Sequence, residues 1–308
     1  MKNNDNVIDR RQEAEGWLWG GLGVLAFSMS LTATRASAPV LGSVVVGLGR
    51  AVGAATLAGL LLLIRRERLP ERKYWAGLLS VAACVVVGFP LLSAMALRQV
   101  PASHASVVVG LSPAATAMFG AWRGRERPGA LFWVAVAIGA LSATIFVLGE
   151  GARGWGRADL LLAVAVVMVA WGYAEGGRLA RELDGWRVIC WALLASLPVS
   201  LPGLLLAASN GVHGTPRAWL GFGYVTVVSM FLGFFAWYRG LALGGISSVS
   251  QLQLAQPLLS VGWAALLLGE PISSRLAIAS VIVVGSVALS RWSSRFRATP
   301  QRTGAAAG

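Results

Sequence analysis

The stretch SSVSQLQLAQPLLSVGWAALLLGEP, residues 247–271, sets three glutamines, Gln251, Gln253 and Gln256, and a proline, Pro257, inside an otherwise apolar run. A primary amide carries two donors and an acceptor, and in hydrocarbon each of these groups needs a partner. The glutamines must therefore face a neighbouring helix, water or a solute rather than lipid. Gln253, Gln256 and Ser260 stand at i, i+3 and i+7, which places them on one helical face, while Gln251 points elsewhere. Pro257 withholds a backbone N–H and frees a carbonyl that water or a solute could use. Hydrogen-bonded recognition of a small polar molecule is the chemistry open to such a face, with helix–helix packing as the competing use.

Two charged residues raise the same question more sharply. Arg50 lies near the middle of VVVGLGRAVGAATLAGLLLL, and Glu175 lies within VMVAWGYAEGGRL. A charge at the centre of a bilayer costs about 2.5–3.5 kcal/mol on insertion scales, so each needs a reason to be there. Arg50 has three uses open to it: pairing with Glu175, pairing with a carboxylate-bearing solute, or a structural bond to backbone carbonyls. Glu175 is close enough to the end of its run to snorkel. Phe27, Phe89, Trp171, Tyr173, Trp237 and Tyr238 are the candidate aromatic walls. Trp17, Trp19, Trp75 and Trp219 read as interfacial belt residues, and that reading also fits Trp237 and Tyr238. His104 reads as an exposed interfacial histidine. Neither it nor His213 stands with carboxylates or cysteines in a nucleophile–base or metal set. No catalytic residue, metal or cofactor is expected, and Cys84 and Cys190 are not expected to form a disulfide.

The elements that must position these residues follow from composition. The chain of 308 residues is 56% hydrophobic and only 13% charged, with mean hydropathy +0.68. These values lie outside the soluble class and indicate an all-α polytopic membrane protein. Apolar runs predict ten crossings at 17–34, 40–64, 75–96, 103–122, 130–149, 159–179, 188–209, 216–240, 247–268 and 275–291. Its net charge of +13 would suggest nucleic acid in a soluble protein, but here the arginines fall between apolar runs and read as topology signals. Lys2, Arg10 and Arg11, then Arg65 to Lys73, Arg123 to Arg127, Arg178 to Arg187, Arg239 and Arg291 to Arg302 fall on one side. Only Arg35, Arg98, Arg153, Arg157, Arg217 and Arg275 fall on the other. By the positive-inside rule both termini are cytoplasmic. Residues 1–15 read as a cytoplasmic tail rather than a signal peptide, and 293–308 as a disordered cytoplasmic tail.

A shift of 144 residues lays 96–126 over 240–270, with Leu97 on Leu241, Ser103 on Ser247, Ser106 on Ser250, Pro113 on Pro257 and Glu126 on Glu270. Phe27 then meets Trp171, and Gln253, Gln256 and Ser260 meet Val109, Ser112 and Thr116. The pattern divides the chain into five-helix units, 16–150 and 151–292. Five is odd, so the second unit is inserted upside down and the two enclose a central cavity, with Pro113 and Pro257 as breaks beside it. Ser112 and Thr116 join the candidate lining. Gly16 and Gly20, like Gly49 and Gly53, form small-xxx-small pairs suited to close packing.

SPAATAMFGAWRGRERP and AQPLLSVGWAALLLGEP, one in each unit, resemble the paired signature of the EamA-type family of the drug/metabolite transporter superfamily, and Arg50 resembles that family's second-helix arginine. The resemblance spans residues 16–291, and within the superfamily the chain is most similar to bacterial amino-acid and metabolite exporters. It implies a functional monomer in the bacterial inner membrane, exporting neutral or aromatic amino acids or similar metabolites by alternating access. Its partners would be the lipid bilayer and a small-molecule substrate, with no nucleic acid. A multidrug or other metabolite exporter is the alternative, and an intramembrane enzyme lacks its catalytic parts. The first helix, WLWGGLGVLAFSMSLTAT, has no acid. Coupling through the first-helix glutamate of small multidrug relatives is therefore disfavoured, and no phosphate-binding loop is present.

Overall fold

The computed structural model describes residues 2–123, 134, 137, 138, 141, 142, 145, 156–209 and 211–295. The described residues form helices joined by short turns, without strands. In chain order these are α1 (Lys2–Ser28), α2 (Ser30–Leu41), α3 (Ser43–Ile64), α4 (Arg72–Val81), α5 (Phe89–Ala96), α6 (Ala102–Val109) and α7 (Ser112–Arg123). There follow α8 (Arg157–Leu183), α9 (Gly185–Ala208), α10 (Pro216–Gly223), α11 (Gly233–Gly244), α12 (Ile246–Val249), α13 (Gln256–Leu268) and α14 (Ser274–Arg295). Among the described residues, seven helical stretches are long and apolar enough to cross a membrane: Ala14–Leu41, Ser43–Ile64, Arg72–Ala96, Ala102–Gly120, Arg157–Leu183, Gly185–Ala208 and Pro216–Gly244. α13 is an apolar helix of 13 residues at the place of the expected ninth crossing, and α14 occupies that of the tenth. Most of the expected fifth crossing, 130–149, lies outside the described residues, as do Glu126 and 296–308. The segment expected as an N-terminal tail is helical from Lys2 and continuous with α1.

Several of these stretches are not uniform helices, and the irregularities recur. Between α4 and α5 the backbone widens into a π-helical segment, Ala82–Gly88, where the Phe89 N–H reaches back five residues to the Cys84 carbonyl. Pro90 favours it, because it has no N–H to give the carbonyl four residues back and its ring crowds that turn. A second π-segment, Tyr224–Leu232, joins α10 to α11, and there Gly233 reaches back to Val228. Phe89 and Gly233 are 144 residues apart, as are Cys84 and Val228. The restarts match as well. α7 begins at Ser112 with Pro113 second, and α13 begins at Gln256 with Pro257 second. The crossing expected to be continuous over 247–268 is thus α12, a 3₁₀ segment Ser250–Ala255, and α13. That tighter turn uses the Gln253 carbonyl, which accepts the Gln256 N–H. The expectation that Pro257 frees a carbonyl for solute does not hold at this oxygen.

The distribution of polarity suits a hydrocarbon solvent. Leu22, Leu60, Leu63, Leu205 and Leu266 project from the bundle, whereas Arg50, Gln253, Ser112 and Ser229 are buried inside it. One large buried cluster runs from Phe27 through α3, α4, α8, α9 and α11. Trp237 and Tyr238 are fully enclosed in it, so neither is a belt residue. Beside it, α1 and α11 meet backbone to backbone: a Cβ on Gly16 would lie 2.4 Å from the Gly244 nitrogen, and one on Gly240 2.6 Å from that of Gly20. Only glycine permits that approach.

Candidate functional site

The irregular segments converge on one narrow cavity. Its volume of about 30 Å³ has room for a water molecule. Residues before 150 supply Phe27, Ser30, Arg50, Val85, Phe89 and Ser112, and residues after 150 supply Tyr173, Ser229, Phe234, Gln253 and Gln256. Each irregularity brings a side chain to the wall. The first π-segment presents Val85 and the second its repeat mate, Ser229; the restarts present Ser112 and its mate, Gln256. A kink at Met29, between α1 and α2, sets Ser30 against Ser229 with 2.7 Å between hydroxyls.

Arg50 is the decisive group. It is 3% exposed, and no hydrogen bond or ion pair to the described residues satisfies it; its Nε is buried without an acceptor. Tyr173 and Gln253 line the same cavity as Arg50. Gln253 is 2% exposed, and its Oε1 is likewise buried without a donor among the described residues. One cavity lining therefore holds a cationic donor, a neutral acceptor and a tyrosine. Part of the remaining wall is aromatic: Phe27 stacks with Tyr173 at 6.4 Å between ring centroids, and Phe234 approaches Phe27 at 4.8 Å. An apolar wall beside two unsatisfied polar atoms suits a small amphiphilic solute.

The sequence-expected residues divide into two groups. Phe27, Phe89, Arg50, Ser112, Tyr173, Gln253 and Gln256 surround the cavity. Ser260 and Pro257 border a tighter cleft against it, where Ser260 donates to the Ser28 carbonyl at 2.7 Å and secures the kink after α1. Thr116 is buried but returns its hydroxyl to the Ser112 carbonyl of its own helix, 2.8 Å away. Pro113 shapes the backbone without bordering either space. Trp171 stands on the other side of α8 from Tyr173, donating to Ser80 Oγ at 2.7 Å and packing on Phe119 and Trp122. Residues two apart on a helix point about 200° apart, so Trp171 and Tyr173 cannot line one cavity together. Glu175 binds Arg178 at 2.8 Å, one turn along its own helix, and does not pair with Arg50.

Other polar groups tie the two ends of the bundle. Glu270 accepts from the Ala102 N–H at 3.0 Å, the Ser103 N–H at 2.9 Å and the Ser103 hydroxyl at 2.6 Å. A carboxylate on the first-turn amides of α6, which have no intrahelical partner, combines a cap with the favourable end of the helix dipole. The same helix places His104 Nε2 2.8 Å from Asp159 Oδ1, both buried, and Asp159 also caps Gly156. The exposed histidine expected from the sequence is thus an internal partner, and Glu175 is joined by Asp159 as a buried acid. The opposite end is held by Arg187 to Glu67 at 2.9 Å and by the glycine contact of α1 with α11. Sequence reasoning missed Ser30, Ser229 and Phe234 in the wall. Hydroxyl-bearing positions in apolar runs were their only signal, and Phe234 had none.

Comparison with known proteins adds the lineage. The EamA-like transporter family model matches residues 14–148 and again 156–292. Uncharacterized transporter YdeK of Bacillus subtilis is 43% identical over 278 residues, covering 90% of this chain and 96% of the relative. Uncharacterized protein PA1977 of Pseudomonas aeruginosa is 32% identical over 244 residues, 77% of this chain and 79% of that one. A crystal structure 22% identical in sequence superposes with a TM-score of 0.66 over 93% of this chain and all of the other, which establishes likeness of fold.

Proposed function

Because the chain belongs to the EamA-like transporter family, within the drug/metabolite transporter superfamily, we propose that it is a secondary transporter exporting amino acids or similar small metabolites across the bacterial inner membrane. The observation that carries this reading is the cavity itself, walled by both halves and by the irregular segments of each. Its two family matches and the π-turns repeated 144 residues apart support ten crossings arranged as two inverted five-helix units, 16–150 and 151–292. In that arrangement both termini are cytoplasmic, and Glu270 and His104–Asp159 lie at the outer end. The chain works as a monomer, because it supplies both walls itself.

The cavity is too narrow for an amino acid in this state, so binding requires the walls to part. Breaks at the cavity let helix segments move without unzipping whole crossings, since their backbone bonds are already rearranged. Parting at the Glu270 end would open the site outward, and parting at the α1–α11 contact would open it inward. A multidrug exporter of apolar cations is the weaker reading, because Arg50 places positive charge in the wall.

Purified protein in liposomes, given labelled neutral, aromatic and charged amino acids with and without a proton gradient, tests the proposal. Saturable flux above empty liposomes is expected. Flux that persists without the gradient identifies a facilitative carrier; no flux of any amino acid would contradict the assignment of substrate.

A further inference from the structure

Resting on the transporter reading but going beyond it, we infer that Arg50 is the anchor for a solute carboxylate, with Gln253 Oε1 accepting from the same solute's amine. Three observations support this. First, Arg50 borders the cavity yet bonds nothing among the described residues. A structural arginine in a span is satisfied by carbonyls or a carboxylate, as the partly buried Arg35 is by the Leu97 carbonyl at 2.6 Å. Second, the buried acid in reach of an arginine, Glu175, is already bound to Arg178, so Arg50 is not a member of that pair. Third, Gln253, whose Oε1 is buried without a donor among the described residues, supplies the complementary acceptor in the lining of the same cavity, to which Tyr173 adds its aromatic ring. A guanidinium offers several coplanar donors that match a carboxylate edge to edge. An acceptor nearby suits an ammonium, and the Phe27–Tyr173–Phe234 surface receives an apolar side chain. The ligand class is therefore the α-amino acid zwitterion with an apolar or aromatic side chain. The acid is the required group and the amine an added contact.

Matched probes separate these elements: phenylalanine and leucine carry both groups, and phenylalaninamide and leucinamide lack the acid. Two readouts are taken on the full chain, thermal stabilisation of detergent-solubilised protein and flux in liposomes. The acids are expected to stabilise the wild-type protein and to be carried about a hundredfold better than the amides, because a buried site built for one polar group rejects the analogue lacking it. Arg50→Gln is expected to lose both responses to the acids and Arg50→Lys to keep a weakened share. Gln253→Leu is expected to narrow the gap between phenylalanine and 3-phenylpropionate, an acid without an amine, in competition with labelled phenylalanine.

A third variant tells an anchor from a strut. Arg50→Met removes an unpaired buried charge, so it is expected to raise the unfolding midpoint of the ligand-free protein while abolishing stabilisation by the acids. A lowered midpoint with Arg50→Met, equal stabilisation by acids and amides, or acid flux unchanged in Arg50→Gln would each overturn the inference. Stabilisation by the acids without flux would instead sink the transport reading and leave the anchor standing. Flux without preference for acids would do the reverse.

Discussion

At Phe89 and again at Gly233 a backbone N–H skips one residue and bonds five back; at Ser112 and again at Gln256 a helix restarts with proline in its second place. The two halves share these backbone breaks at one spacing, yet the side chains they carry to the cavity differ. Arg50 of the first half corresponds to Leu194 of the second, Val109 to Gln253, and Val85 to Ser229. The packed ends differ too: Gly16 on α1 touches α11, while its counterpart Leu160 on α8 is largely exposed. Duplication thus accounts for the scaffold, whose bends serve any solute. Under the anchor proposed above, recognition would rest on what the halves do not share: Arg50 from the first and Gln253 from the second, two unlike groups for the two unlike ends of one solute.

The largest effect is expected where the asymmetry is erased by force. Leu194→Arg puts a second guanidinium into the bundle at a position packed on Gly59 and outside the cavity lining. At about 3 kcal/mol for a charge in the bilayer centre, yield of monodisperse protein should fall sharply. Normal yield would show that the halves tolerate charge equally. Next comes the packed end: Gly16→Leu forces a side chain into the α11 backbone and should cost about 1–3 kcal/mol. Leu160→Ala, at the matching place, should stay within about 0.5 kcal/mol. Thermal unfolding of the two variants side by side measures the difference.

Glu270→Gln keeps the shape of the cap and removes its charge, for an expected loss of about 1 kcal/mol. Amide hydrogen exchange should rise over 102–109 and stay unchanged over α8. Exchange that stays unchanged throughout would mean the carboxylate does not hold α6. The smallest effect is expected from Trp171→Phe, which loses one hydrogen bond to Ser80, about 1 kcal/mol of stability, and leaves KM for transport unaltered. A raised KM would return Trp171 to the solute path.

Much of this was legible in the residues. The spacing of prolines and serines exposed the duplication, and the cost of a charge in hydrocarbon singled out Arg50. The i, i+3 pair Gln253 and Gln256 shares one wall because both stay within a turn of the break. Beyond a break, periodicity stops being a guide. A π-turn adds a residue and swings every later side chain by about 100°, so Ser229 and Phe234 could not be placed by counting. Pro90 follows the first π-turn, but the second has no proline, so no local rule places both. The Glu270 cap and the His104–Asp159 pair join segments more than fifty residues apart, and no local pattern encodes such a meeting. Trp171 could have been assigned better, since its spacing from Tyr173 already placed the two on opposite faces.

The central claim, that solute passes through the space between the halves, is tested most directly by blocking that space. In a background with Cys84→Ala and Cys190→Ala, Ser112→Cys and Trp171→Cys are compared in liposomes for amino-acid flux before and after a bulky thiol reagent. The account predicts that modification at Ser112 stops flux, that amino acid present during labelling slows it, and that modification at Trp171 leaves flux intact. Flux that continues through a fully labelled Ser112→Cys protein would contradict it.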